Sequence, residues 1–290
     1  MTLDARPGAA PGFLSADAVA AMFAEGSIEA ALGIEPTSVR PGRVAFRVAL
    51  GAGRVRPHSL DPTLLGVLAD CAAGISVFSV GSGDTAGVTA ELRVDLVGRP
   101  APQAAALVVQ GTALRVGHGG GQGSVRIEDD RGFLVATATA IMARSTSPRP
   151  HPVGEPRPPL ALPVSVLGPD VSGGDGPGGP VSVADVVPDP QLTNAYDALH
   201  GGVVLGLAQC HQERLLAASG RRDQHTSVTA EYLRPVAAAA MTAQTEVTRC
   251  SARFCSLRTE VLAADGTVLA RVHGATTAAD LDGPFADPCE

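Results

Sequence analysis

The 290-residue chain has no tryptophan and no lysine, two tyrosines and seven phenylalanines, so aromatic residues make up only 3% of it and offer no stacking pocket that would favour aryl over aliphatic substrates. All 22 basic residues are arginines, scattered through a chain of formal net charge −7. That leaves no basic face for a nucleic acid and no polybasic patch for a membrane surface. No run of about 18 apolar residues could span a bilayer, and Met1 to Pro11 lacks an apolar core of signal-peptide length. A cytoplasmic protein with no nucleic-acid and no membrane partner is expected, although a phosphate-bearing small molecule needs only a few local donors and stays compatible with these absences. The five cysteines, Cys71, Cys210, Cys250, Cys255 and Cys289, form an odd set without C-x-x-C spacing. They are read mainly as small apolar packing residues, with Cys289 exposed, and no metal site or cofactor is expected. There is no Gly-x-Ser-x-Gly elbow and no nucleotide-type phosphate loop, so His118-Gly119-Gly120-Gly121 reads as a hairpin turn.

What the chain does have is 45% hydrophobic residues and length for two cores of ordinary size. It also repeats itself. Leu64 to Cys71 lies over Val203 to Cys210 without a gap. An alternating segment closing on Arg-Pro follows in each copy (Thr89 to Pro100, His225 to Pro235), then a strand pair, then a matching turn and last strand, Arg131 to Ala136 against Asp265 to Ala270. Val88-Thr89-Ala90-Glu91 recurs as Val228-Thr229-Ala230-Glu231, but aligning the copies on Arg-Pro sets His225 opposite Thr89 and keeps the alternation in phase.

Between the copies, Ser145 to Gly179 is dense in proline and glycine and reads as a linker. Within each copy a strand (Arg43 to Leu50; Val181 to Val187) precedes one long helix (about Pro62 to Val80; Gly201 to Ala218), and four alternating strands follow. Both helices are apolar around most of their circumference, which fits a helix buried on several sides by a curling antiparallel sheet.

Asn194, His200-Gly201-Gly202, a polar residue nine places after the histidine and a strand closing on Leu233-Arg234-Pro235 together resemble the hotdog-fold thioesterases of the phenylacetate-pathway type. The resemblance spans nearly all of both copies. It implies an α+β fold of two hotdog domains, each a long central helix wrapped by a curved antiparallel sheet, paired as an intramolecular pseudo-dimer. The first domain would cover residues 1–146, the linker 147–178 and the second domain 179–290. It implies hydrolysis of acyl-coenzyme A, or another acyl thioester, by an acid nine residues after the motif histidine that acts as general base or nucleophile.

The same resemblance implies that the backbone N–H at the first motif glycine polarises the thioester carbonyl, that the asparagine positions water or substrate, and that a Ser or Thr on the next strand supports the acid. Copy two supplies Asn194, His200, Gly201 and the substrate-contacting Gly202, but has Gln209 in place of the acid. Copy one supplies Asp70 and Thr89, but has Val55 for the asparagine and Asp61-Pro62-Thr63 for His-Gly-Gly. His200 is expected to organise its loop.

Two residues eight apart on one helix are separated by about 12 Å at roughly 1.5 Å per residue, so acid and carbonyl-binding glycine must come from different helices. Antiparallel pairing of the copies would bring Asp70 beside Gly201 and complete one site. The other would combine Gln209, which is no base at neutral pH, with Pro62, which has no N–H, and should be inert. Asp61-Pro62 instead suits a helix opening.

Two further functions compete with hydrolysis. The eroded motifs also fit a non-catalytic acyl-thioester-binding or scaffolding protein, whereas a dehydratase or hydratase acting on enoyl or hydroxyacyl thioesters would need a His paired with an acid in a different helix context, which the sequence does not offer. A dimer of such double-hotdog chains is the expected assembly.

Overall fold

The computed structural model describes residues 23, 27–51, 54, 55, 60–80, 87–144, 160, 167–176, 179–186, 189–194, 198–237 and 239–278. The first unit runs α1 (Ile28–Ala31), β1 (Ile34–Arg40), β2 (Arg43–Ala49), α2 (Pro62–Phe78), β3 (Gly87–Leu96), β4 (Ala106–Gly117), β5 (Gly120–Asp129) and β6 (Leu134–Arg144). The second runs β7 (Leu167–Gly176), β8 (Gly179–Val186), a 3-10 turn (Pro190–Leu192), α3 (Gly201–Ala218), β9 (Asp223–Tyr232), β10 (Met241–Cys250), β11 (Phe254–Ala263) and β12 (Val268–Ala278).

The strands make one antiparallel sheet ordered β1-β2-β4-β5-β6-β3-β9-β12-β11-β10-β8-β7, so each half of the sheet mirrors the other and the halves join at β3 and β9. Each half curls around its own helix. Every residue from Pro62 to Val77 is buried, which is why α2 shows no apolar stripe: it has no solvent side. Asp61 opens the helix, its Oδ1 accepting the N–H groups of Thr63 and Leu64 at 3.0 and 3.2 Å, with Pro62 in the first turn.

The register of the repeat follows from strand pairing. Leu96 stands opposite Ala136 as Tyr232 stands opposite Ala270, and Thr89 opposite Met142 as His225 stands opposite Thr276. His225 therefore occupies the place of Thr89. The matching turns carry glycines at φ +89° (Gly132) and +82° (Gly266), a backbone that other residues adopt only at a cost.

Three features depart from the sequence reading. Leu167–Gly176, inside the segment read as linker, forms a strand against β8, and β1 adds a second strand ahead of α2. Both are edge strands, so neighbour pairing rather than their own pattern selects them; β1 contains Pro36 and is largely exposed. Cys250 and Cys255, read as packing residues, face each other across β10 and β11 and form a disulfide. The third departure is at the strand ends: β3 and β9 stop at Leu96 and Tyr232, short of the Arg-Pro pairs. Cys289 lies outside the described residues. No helix among the described residues is long and apolar enough to cross a membrane.

Candidate active site between the two central helices

The central helices cross antiparallel at glycines. A Cβ on Gly202 would collide with the carbonyl group of Gly66, and one on Gly206 would lie 2.7 Å from the backbone of Thr63. Close approach at this crossing carries Asp70, two turns along α2 from its first residues, to the amino end of α3.

There Asp70 and His200, each only 7% exposed, meet. The Asp70 Oδ2 atom accepts the Gly202 N–H at 3.1 Å and stands 3.2 Å from His200 Nδ1. Its Oδ1 accepts the Thr89 hydroxyl at 2.5 Å. A Cβ on Gly201 would fall 2.6 Å from Asp70 Oδ2, so only glycine lets the carboxylate stand against this residue.

A bulge aims Thr89 inward. Leu92 and Val94 point into the core, and strict alternation would turn Thr89 to the outer face; the pairing shifts at Ala90, between Thr89 and Glu91, and reverses its phase. The second unit has the same bulge, at Thr226, and directs His225 inward.

His200 is the N-cap of α3, its Nδ1 accepting the Gly202 N–H at 3.1 Å. Its loop is held by the His200 N–H on the Leu192 carbonyl and the Leu199 N–H on the Val236 carbonyl. Among the described residues the Gly201 N–H has no acceptor, whereas the Gly202 N–H, expected to face substrate, is engaged by Asp70 and His200. Asn194 sits in the loop before α3, where its N–H donates to the Ala198 carbonyl and its Oδ1 accepts the Ala198 N–H at 3.3 Å. The structure thus brings together Asp70, Thr89, His200, Gly201 and Gly202.

Two residues not foreseen from the sequence complete the cluster. Glu29 in α1 places Oε1 3.6 Å from His200 Nε2. Tyr232 donates its hydroxyl to the Gly201 carbonyl at 2.6 Å. Tyr232 was open to discovery, being one of two tyrosines and lying where the first unit has Leu96; Glu29 carries no local signal.

Burial opposes a charged imidazole at His200, but the Glu29 carboxylate at Nε2 and the charges of Asp70 and Glu29 outweigh it, so its pKa lies above the ordinary value. Burial, reinforced by Asp70, pushes the Tyr232 phenol up. Burial, then Glu29 and Asp70, does the same to the Cys71 thiol. Both therefore stay protonated at neutral pH.

At the equivalent place in the second unit, Gln209 is 1% exposed and its amide donates to Glu213 Oε1 at 3.1 Å. His225 Nε2 lies 2.8 Å from Gln212 Oε1. From there a buried polar chain runs through Thr259, Thr245 and His211 to Ser182. Among the described residues no group of three or more His, Cys, Asp or Glu is placed to hold a metal ion.

Residues 189–278 match the model of the acyl-CoA thioesterase N-terminal domain. In structure the chain is similar to a TesB protein of Mycobacterium avium subsp. paratuberculosis (TM-score 0.60, 13% identity, 87% of this chain and 98% of that one). It is also similar to acyl-CoA thioesterase II TesB2 of Mycobacterium marinum (0.58, 12%, 87% and 98%) and to the 12:0-ACP thioesterase of Umbellularia californica (0.55, 14%, 82% and 94%). No curated protein matches it in sequence. The chain has the hotdog fold, and its second unit matches the acyl-CoA thioesterase domain model.

Proposed function

We propose that this thioester hydrolase acts on acyl-coenzyme A at one composite site, with Asp70 as general base or nucleophile and the Gly201 N–H polarising the thioester carbonyl. The observation that carries the reading is the contact between Asp70 of the first unit and the start of α3 in the second, 132 residues further along the chain. A carbonyl oxygen resting on the Gly201 N–H meets a directed donor at the positive end of a helix, where loss of one such donor typically costs about 10²–10³ in rate. Thr89 holds one oxygen of Asp70 and leaves its other edge toward the helix start. Asn194, in the loop ahead of α3, would orient water or substrate.

The counterpart position supports a single site. Gln209 cannot take a proton at neutral pH, and Pro62 at the start of α2 has no N–H to offer. A hydrolysis screen over acyl-coenzyme A chain lengths, run on the wild type and on Asp70→Asn, tests the proposal. Turnover of at least one thioester should fall by about 10²–10⁴ in the variant. Coenzyme A ester binding with no turnover in the wild type would favour a binding or scaffolding role instead.

A further inference from the structure

The two nitrogens of His200 face opposite partners, and the pattern is unusual for a helix cap. Nε2 points at Glu29, 3.6 Å away. Nδ1 has two neighbours at nearly equal distance that suit opposite protonation states: the Gly202 N–H at 3.1 Å, which an unprotonated Nδ1 accepts, and Asp70 Oδ2 at 3.2 Å, to which a protonated Nδ1 donates. The ring has a partner for Nδ1 in either state without moving. Glu29 is itself anchored: α1 is capped by Ser27, whose Oγ accepts the Ala30 N–H at 3.0 Å, Ile28 and Leu32 are fully buried beside it, and α1 packs on the 3-10 turn that leads to His200.

We propose that Glu29 is a positioning residue that keeps a proton on Nε2 of His200, so that Nδ1 becomes the place where the proton withdrawn at Asp70 is held during thioester hydrolysis. The inference rests on the proposed hydrolytic site. Water's oxygen bonds to the carbonyl carbon, its O–H bond breaks, and the proton passes through Asp70 Oδ2 to His200 Nδ1. As the C–S bond breaks, that proton returns through Asp70 to the departing sulfur, leaving carboxylic acid and thiol. Glu29 makes no contact with the reacting atoms; it stabilises the imidazolium formed midway.

The titratable groups against His200 are Glu29 from α1 and Asp70 from α2, and the Asp70 charge acts in turn on Cys71 in α2 and Tyr232 in β9. Cys71 and Tyr232 keep their protons through the neutral range, so a change of slope there belongs to the Glu29–His200–Asp70 chain. When Nδ1 is already protonated it is bonded to Asp70 and has no room for another proton, so activity should rise with pH through the His200 pKa.

The test is the pH profile of kcat/KM for acyl-coenzyme A hydrolysis, together with the NMR titration of the His200 ring, in wild type, Glu29→Gln, His200→Gln and Asp70→Asn. In Glu29→Gln the rising limb and the ring titration should both move to lower pH by about one unit, as removal of a close opposite charge does. The plateau should fall about tenfold, and His200→Gln should lose the rising limb altogether. A Glu29→Gln profile that is lowered equally at every pH, with the ring titration unmoved, overturns the inference and leaves Glu29 a packing residue. If Asp70→Asn hydrolyses at the wild-type rate, the site reading itself falls. If Asp70→Asn is inactive while Glu29→Gln matches the wild type in both limb and titration, only this inference falls.

Discussion

Asp70 Oδ2 accepts a hydrogen bond from the backbone N–H of Gly202 at 3.1 Å, and this contact joins the two halves of the chain where α2 and α3 cross. The crossing tolerates no side chain, since a Cβ on Gly202 would overlap the Gly66 carbonyl group. Gly202→Ala must therefore push the helices apart, and overpacking of this kind costs about 1–3 kcal/mol, occasionally more. Thermal unfolding should show the loss of stability, and hydrolysis should drop with it because Asp70 and Gly201 separate. A variant with wild-type melting and wild-type rate would mean that the crossing can slide.

Thr89 tests the carboxylate's other oxygen. Thr89→Val keeps the shape and removes the hydroxyl that Asp70 Oδ1 accepts, and a hydrogen bond to a charged group is worth about 1.5–3 kcal/mol. The rate should fall about tenfold or more through kcat, with KM little changed, and Thr89→Ser should restore most of it. An unaltered kcat in Thr89→Val would show that Asp70 is oriented by the α3 terminus alone.

Much of this site is legible in the amino-acid sequence. The two all-round apolar helices and the register that sets His225 opposite Thr89 follow from hydrophobic pattern and from alignment of the chain with itself, because buried helices and paired strands impose strong periodicities, and the half-motifs follow from the resemblance to the hotdog thioesterases. The bulge at Ala90 that turns Thr89 inward leaves no such trace, since one extra residue in a strand looks like a lapse in alternation. Glu29 is legible only in space: a single acid in Ser27-Ile28-Glu29-Ala30 is an ordinary helical residue until α1 is folded onto the loop of His200. The strand Leu167–Gly176 escapes for a related reason, since its glycines carry no pattern and its pairing with β8 supplies the order.

Restoring the missing acid in the second unit should not restore a second site. Gln209→Asp would place a carboxylate at a 1% exposed position beside Glu213, which the glutamine amide now bonds, and the helix facing it opens on Pro62 without an N–H. The variant should melt at lower temperature and turn over no faster per chain than wild type. A doubled number of active centres, counted by active-site titration or burst amplitude, would contradict the one-site reading.

Tyr232 bears on the backbone at the start of α3 rather than on the carboxylate. Its hydroxyl, 2.6 Å from the Gly201 carbonyl, fixes the peptide that follows Gly201, and the residue's raised pKa keeps that hydroxyl a donor across the working range. Tyr232→Phe loses one hydrogen bond to the Gly201 carbonyl, about 1 kcal/mol of net stability, and leaves that carbonyl only its helical partner. Hydrolysis should slow severalfold at every pH alike. A pH-dependent loss would instead implicate the phenol in proton transfer.

The raised pKa of His200 also ties stability to pH, with a definite sign. Its folded-state value lies above the unfolded value of about 6.5, because the Glu29 and Asp70 carboxylates outweigh the effect of burial. The stabilisation this brings is fully present below the unfolded value and is lost as pH rises through the folded one. Glu29→Gln removes the partner at Nε2, so wild type and variant should differ most in melting temperature near pH 6 and converge toward pH 9. Denaturation followed by circular dichroism at a series of pH values measures this. A gap that stays constant from pH 6 to pH 9 would place the stabilising effect of Glu29 in packing alone, because a constant difference requires that wild type and variant exchange the same number of protons on unfolding.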